Sequence, residues 1–181
     1  MEEALGSNVL KSAMAEMRRY KSLADRALAQ TSNENLHKPQ DVHTNSLVVI
    51  MKHIAGNLRS RWTDFLTTDG EKPWRDRDSE FVDNFTSREQ LFDFWEQGWQ
   101  VAMQALQSLM PADLTKEISI RGERHSVPLA IARSVAHTAY HVGQIVHIAR
   151  HYAGDDWETL TIPRGGSEAF NQSMRERRAS H

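Results

Sequence analysis

At 181 residues the chain has the length of one domain with room for a substantial core, and no apolar run approaches the roughly 18 residues of a membrane span. A net charge of −2, from 22 basic and 24 acidic residues, provides no field suited to nucleic acid or a strongly acidic partner. There is no cysteine, which excludes disulfides, a thiolate nucleophile and zinc–thiolate sites and leaves histidine and carboxylates as metal ligands.

The chain opens on Met1-Glu2-Glu3, without the basic and apolar regions of a signal peptide, so a soluble, cytoplasmic protein is expected. Residues 7–30 repeat Leu10, Met14, Met17, Leu23, Ala24 and Leu28 at helical spacing and predict a first helix. It ends in Thr31-Ser32-Asn33, and a loop containing Pro39 follows. A second helix is predicted over 46–66, with Ser46 as its N-cap and Leu47, Ile50, Ile54, Leu58, Trp62 and Phe65 along it. Residues 67–84 show no period. A connection that long between packed helices is often functional, so Trp74 among Arg75, Asp76, Arg77 and Asp78 reads either as a lid or subunit contact or as a solvated surface loop.

The third helix is predicted over 87–110, because Ser87 and Gln90 have capping-box spacing and Pro111 stops it. Leu91, Phe94, Trp95, Trp99, Met103, Leu106 and either Leu109 or Met110 mark its buried face. Residues 116–127 break the helical period: Ile118 and Ile120 alternate with polar residues, Arg121-Gly122-Glu123 can turn, and 125–127 can return as a short strand. Pro128 suits the first turn of a fourth helix, and Gly154 suits its C-terminal cap. Trp157, Leu160 and Ile162 read as a docked extension, and Arg175, Arg177 and Arg178 as part of a solvated tail. The expected fold is all-α: a four-helix bundle over residues 1–165, with a small β-hairpin or extended insertion before the last long helix, then a tail over 166–181.

Chemistry concentrates in the histidines. His137 and His141 are four residues apart, so a helix stacks both imidazoles on one face. At ~100° per residue, His141 lies about 40° from His137, inside a broad apolar sector with Ile145 and Ile148. His147 and His151 turn away toward solvent, and Gln144 is placed to hydrogen-bond one of the inward pair. Two neutral imidazoles so placed are half of a first-row metal site; without a metal, their four ring nitrogens need other partners. His53 lies beside the Ile50/Ile54 stripe of the second helix, as either a satisfied core residue or the third donor that the pair needs from a facing helix. His37, His43, His125 and His181 fall in loops, a turn and a terminus. There is no HExxH, and nothing arranges Ser134 or Thr138 into a triad.

Lys52-His53-Ile54-Ala-Gly-Asn57 followed by His137-x-x-x-His141-x-Gly-Gln144 resembles the DinB/YfiT-like superfamily, over roughly residues 5–165. The segments Gly56-Asn57-Leu-Arg-Ser-Arg-Trp62, Gly70 to Asp78 and Ile162-Pro-Arg-Gly165 resemble one branch of it that has no assigned activity. The resemblance implies a four-helix bundle, usually a homodimer, with nickel or zinc, sometimes iron or manganese, held by three histidines. Those ligands carry over to His53, His137 and His141. Relatives with known activity include thiol transferases and a maleylpyruvate isomerase. Where the commoner pattern reads His-Arg-Gly-Gln, this chain has Val142 in place of the arginine.

Three neutral imidazoles leave a divalent charge uncompensated and a coordination position open. A bound ion there can depress the pKa of a thiol or polarise an electrophile's oxygen. The expected function is a metal-dependent transferase or isomerase acting on a small molecule, with a low-molecular-weight thiol that the cysteine-free chain cannot itself supply. The alternatives are a non-catalytic, metal-binding, stress-associated dimer and an apo bundle with a histidine-rich core.

Overall fold

The computed structural model describes residues 2–179; Met1, Ser180 and His181 lie outside the described residues. In chain order the elements are α1 (Glu2–Ala29), α2 (Asn33–His37), α3 (Leu47–Trp62), α4 (Arg88–Ser108), β1 (Glu117–Ile120), β2 (Glu123–Ser126), α5 (Val127–Ala153) and α6 (Ser167–Ala179). The four long helices make the bundle. α1 packs on α4 and α5, and α3 packs on the same two from the other side. α3 and α5 are therefore neighbours, and this adjacency puts His53 opposite His137 and His141.

Local chemistry explains the ends. Ser46, Ser87 and Ser126 each accept a hydrogen bond from a backbone N–H in the first turn of α3, α4 and α5. The Gln90 side chain accepts from Thr86 N at 3.1 Å rather than from Ser87 N, so the capping box at α4 closes one residue early. Gly154, at φ 56°, ends α5 as expected.

The helix ends differ from expectation in three places. α1 starts at Glu2 because Glu2, Glu3, Ala4 and Leu5 are good helix formers with acids in the first turn. α3 stops at Trp62, since Asp64 adopts φ 48°, although Phe65 still stacks on Trp62 at 4.5 Å. The polar run after α1 builds the short α2, with Ser32 accepting from Asn35 N and Leu36 buried beneath it.

The hairpin pairs Glu117↔Ser126 through Ile120↔Glu123. Arg121 at φ 57° and Gly122 at φ 76° form its two-residue turn, the geometry that matches the twist of antiparallel strands. His125 thus lies in a strand rather than a turn. The extension after α5 is docked: Leu160 is buried, and its carbonyl accepts from Arg26 at 2.7 Å. Within the segment expected as a tail, Ser167–Ala179 is helical, with Phe170 and Met174 exposed. No helix among the described residues is long and apolar enough to cross a membrane.

Trp62, Trp95 and Trp99 are the largest fully buried side chains, and Trp95 Nε1 donates to Asp25 Oδ1 at 2.9 Å. α3 is buried on nearly every side, because the 63–87 connection covers the face that the bundle leaves open. On its α4 side the helices meet at Gly98, where a Cβ would lie 2.6 Å from Ala55 Cα. Gly98→Ala is expected to destabilise the protein by about 1–3 kcal/mol through overpacking, read as a lower midpoint in urea at unchanged slope.

Candidate metal centre

His53 projects from the middle of α3 and is buried. His137 and His141 project one turn apart from α5, each half-buried. His53 Nε2 and His137 Nε2 lie 3.2 Å apart. His137 and His141 have ring centroids 4.6 Å apart, and His53 and His141 4.9 Å. One ring nitrogen from each falls within 4.8 Å of the others, a group that could hold a metal ion. Two imidazole nitrogens about 2.05 Å from a tetrahedral ion sit about 3.3 Å apart, a spacing that the His53–His137 pair matches.

The outer ring nitrogens decide which atoms face inward. Glu80 Oε2 lies 2.9 Å from His53 Nδ1. A carboxylate has no proton to give, so Nδ1 donates and the lone pair of neutral His53 is on Nε2. Gln144 Oε1 does the same for His141, accepting from Nδ1 at 2.8 Å, as the helical wheel expects of Gln144. These are the outer-shell partners that metal-binding histidines carry.

Glu80 is in turn gripped by Arg75, which donates from Nε to Oε1 at 2.8 Å and from Nη2 to Oε2 at 2.9 Å. The Arg75 and Glu80 side chains are only 2% and 5% exposed, so this is a buried bidentate pair. Burial alone would raise the Glu80 pKa, but His53 and Arg75 outweigh it and hold the carboxyl below its ordinary value. The approach needs Gly56: a Cβ there would lie 2.3 Å from Glu80 Oε1.

The 63–87 segment therefore belongs to the site. Lys52, one residue before His53, spends its three protons on Ser79 O at 2.6 Å, Val82 O at 3.0 Å and Asn84 Oδ1 at 2.8 Å. Ser60 Oγ donates to Gly70 O at 2.8 Å. Asp69 holds the hairpin turn, accepting from Arg121 N and Gly122 N at 2.8 Å and from Ser119 Oγ at 2.6 Å. Lys72 is buried with its ammonium on Thr68 Oγ1 and Asp69 O. Trp74, which drew the sequence reading to this segment, is itself 54% exposed beneath the Arg59 guanidinium.

Sequence reasoning missed Glu80, Arg75 and Lys52. The available signal was Gly56, a costly residue inside a helix and three positions after His53, where a large side chain from elsewhere needs room. Among the described residues, the remaining histidines stay apart from the cluster. His147 and His151 are exposed, and His37 lies 2.7 Å from Asp83 Oδ2. His125 is buried between Glu123 O and the Arg133 guanidinium. Val142 is buried in the core, a place where a guanidinium would need a partner.

Fold and site together define a class: an all-helical bundle with a three-histidine group between two neighbouring helices, braced by a carboxylate on a connecting loop. Over residues 4–166 the chain matches the family described as "Protein of unknown function (DUF1572)", and it belongs to that family. No curated protein and no solved structure matches it significantly.

Burial, then the positive charges that His141, His53, Arg75 and Arg61 would place around it, push the His137 pKa down to about 3. His141 is lowered too, chiefly by burial, although Gln144 opposes the shift. Both are neutral at pH 7. In the unfolded chain they take up protons below about pH 6.5, whereas in the native state they resist doing so. Stability of the metal-free protein should therefore fall as pH drops from about 6.5 toward 3, and His137→Gln should flatten that slope in urea titrations.

Proposed function

We propose that this is a divalent-metal-dependent enzyme of the DinB/YfiT-like superfamily, a small-molecule transferase or isomerase that uses a low-molecular-weight thiol as cosubstrate. His53, His137 and His141 are its metal ligands, and nickel or zinc is the favoured ion. The observation that carries the reading is the convergence of three imidazoles, two with the tautomer set from outside by Glu80 and Gln144.

An ion bound there would supply Lewis acidity and lower the pKa of a coordinated thiol. The chain's own residues do the rest. Burial keeps His137 and His141 unprotonated at neutral pH, so their lone pairs are available without competition from protons. Glu80, pinned by Arg75, keeps His53 in the matching tautomer and orientation. Three neutral ligands leave the ion's charge uncancelled and a position open, as in catalytic rather than structural sites. No cysteine is present, so the nucleophile comes from the cosubstrate. The arginine common in the superfamily motif is replaced here by the buried Val142, so the thiol is held by groups other than that arginine.

The second reading, a non-catalytic metal-binding homodimer, draws on the exposed Leu5, Val9 and Met110 near the start of α1 and the end of α4. Anaerobic titration of cobalt-loaded protein with small thiols separates the two: a changed visible spectrum supports the enzyme, and an unchanged one supports the binding protein. In either reading the protein is a cytoplasmic dimer.

Elemental analysis of untagged protein should find about one divalent ion per chain. His53→Ala, His137→Ala and His141→Ala should each lose it, and a triple variant that keeps full metal content would overturn the assignment. Glu80→Gln, which cannot anchor the His53 proton as a carboxylate does, should weaken metal affinity by about 10–100-fold in competition with a chelator.

A further inference from the structure

The helical period that brings the histidines together also places a second polar layer beside them. On α3, Asn57 and Arg61 follow His53 at successive intervals of four residues. On α5, Arg133 and Ser134 precede His137 by four and three residues. These residues and His137 line one cavity of about 120 Å³, walled on its other side by Trp62 and Phe65. Trp62 Nε1 donates to Ser134 Oγ at 3.1 Å, tying the two helices together at this level.

The layer carries more positive charge than its own acids balance. Glu71 is the carboxylate for Arg61 and Arg121, each at 3.0 Å, and for one nitrogen of Arg75 at 3.4 Å. Arg133 lies against His125 Nε2, and among the described residues it has no carboxylate partner. The Asn57 side chain makes no hydrogen bond among the described residues, although it lines the same cavity. A guanidinium without a carboxylate partner and a free amide, lining a half-apolar pocket, suit a planar anion with a short carbon chain.

We propose that this cavity is a carboxylate-binding subsite, in which Arg133, Arg61 and Asn57 hold the carboxylate of a small organic acid and direct the rest of the molecule toward the histidine cluster. The assignment of that acid as a reactant rests on the proposed function; the anion site itself does not. The acid is either the electrophile or the thiol cosubstrate, and both would present the same group to Arg133.

The test separates this site from direct coordination of an acid to a metal by using metal-free protein. Calorimetric titration with propionate should show binding, with the isosteric propionamide about tenfold weaker or worse. Arg133→Met, at an exposed position that leaves the Glu71 and Glu80 pairs intact, should cost propionate about tenfold, with the thermal midpoint measured alongside because the substitution also uncovers the buried His125. Arg133→Lys should recover part of the loss. Equal affinity for propionate and propionamide, an unaffected Arg133→Met variant, or preference for inorganic phosphate would each overturn the proposal. Elemental analysis reports on the metal reading separately, so its failure leaves these readouts standing. With cobalt-loaded protein, 3-mercaptopropionate binding more tightly than propanethiol assigns the carboxylate to the thiol. Additive binding of propionate and propanethiol assigns it to the electrophile.

Discussion

The ion pair between Arg75 and Glu80, buried between a connecting loop and helix α3, sets the terms for the rest of this structure. Removing two charges from water costs several kcal/mol per ion, recovered only when every lone pair and proton finds a partner. Glu80 meets that condition with Arg75 on one side and His53 Nδ1 on the other. The requirement propagates outward. Gly56 must lack a side chain, Lys52 must hold the backbone around Ser79 and Val82, and Glu71 must take the remaining face of Arg75. A pair of this kind contributes more to conformational uniqueness than to net stability, and here the conformation it selects is that of a histidine ring.

That selection gives the cluster its chemical character. A histidine whose outer nitrogen is held by a carboxylate is a more basic inward donor and cannot flip its tautomer without breaking the bond. His141 has a weaker version of the same support from Gln144, one turn further along its own helix. His137 has its inner nitrogen 3.2 Å from that of His53 and is kept neutral by burial and by its positive surroundings. The three rings thus form a nitrogen-lined recess beside a carboxylate that is bonded to the outer edge of His53. Next to that recess lies a layer of guanidinium and amide groups with the opposite preference, for anions.

The loop also ties distant parts of the fold to one another. Asp69 clasps the hairpin turn at Arg121 and Gly122, while Lys52 and Ser60 anchor the same connection to α3. The hairpin leads directly into α5 through Ser126, the cap of the helix that carries His137 and His141. The position of α5 against α3 is therefore braced by a continuous run of hydrogen bonds, in addition to the apolar core. The cavity beside the histidines adjoins the same loop, since Arg61, which lines it, is paired to Glu71 within that loop.

Local pattern was enough to read the four long helices, a hairpin turning at Arg121-Gly122-Glu123 and the caps at Ser46, Ser87 and Gly154, because each depends on residues a few positions apart. The same local rule placed His137, His141 and Gln144 together and turned His147 and His151 outward. His53 was ambiguous on those terms, and the resemblance to a known superfamily favoured it as the third member. What local pattern could not supply was everything on the 63–87 connection. Glu80 lies 27 positions from His53 and Arg75 five from Glu80, with no period relating them. Their partnership arises only when the loop folds back over α3 and water is excluded, since a carboxylate in solvent has no need of either neighbour. The sequence by itself determined which faces of the helices are buried and which histidines share a face. Tertiary structure alone decided how those histidines are held, because a buried charge chooses its partners by proximity in space and not along the chain.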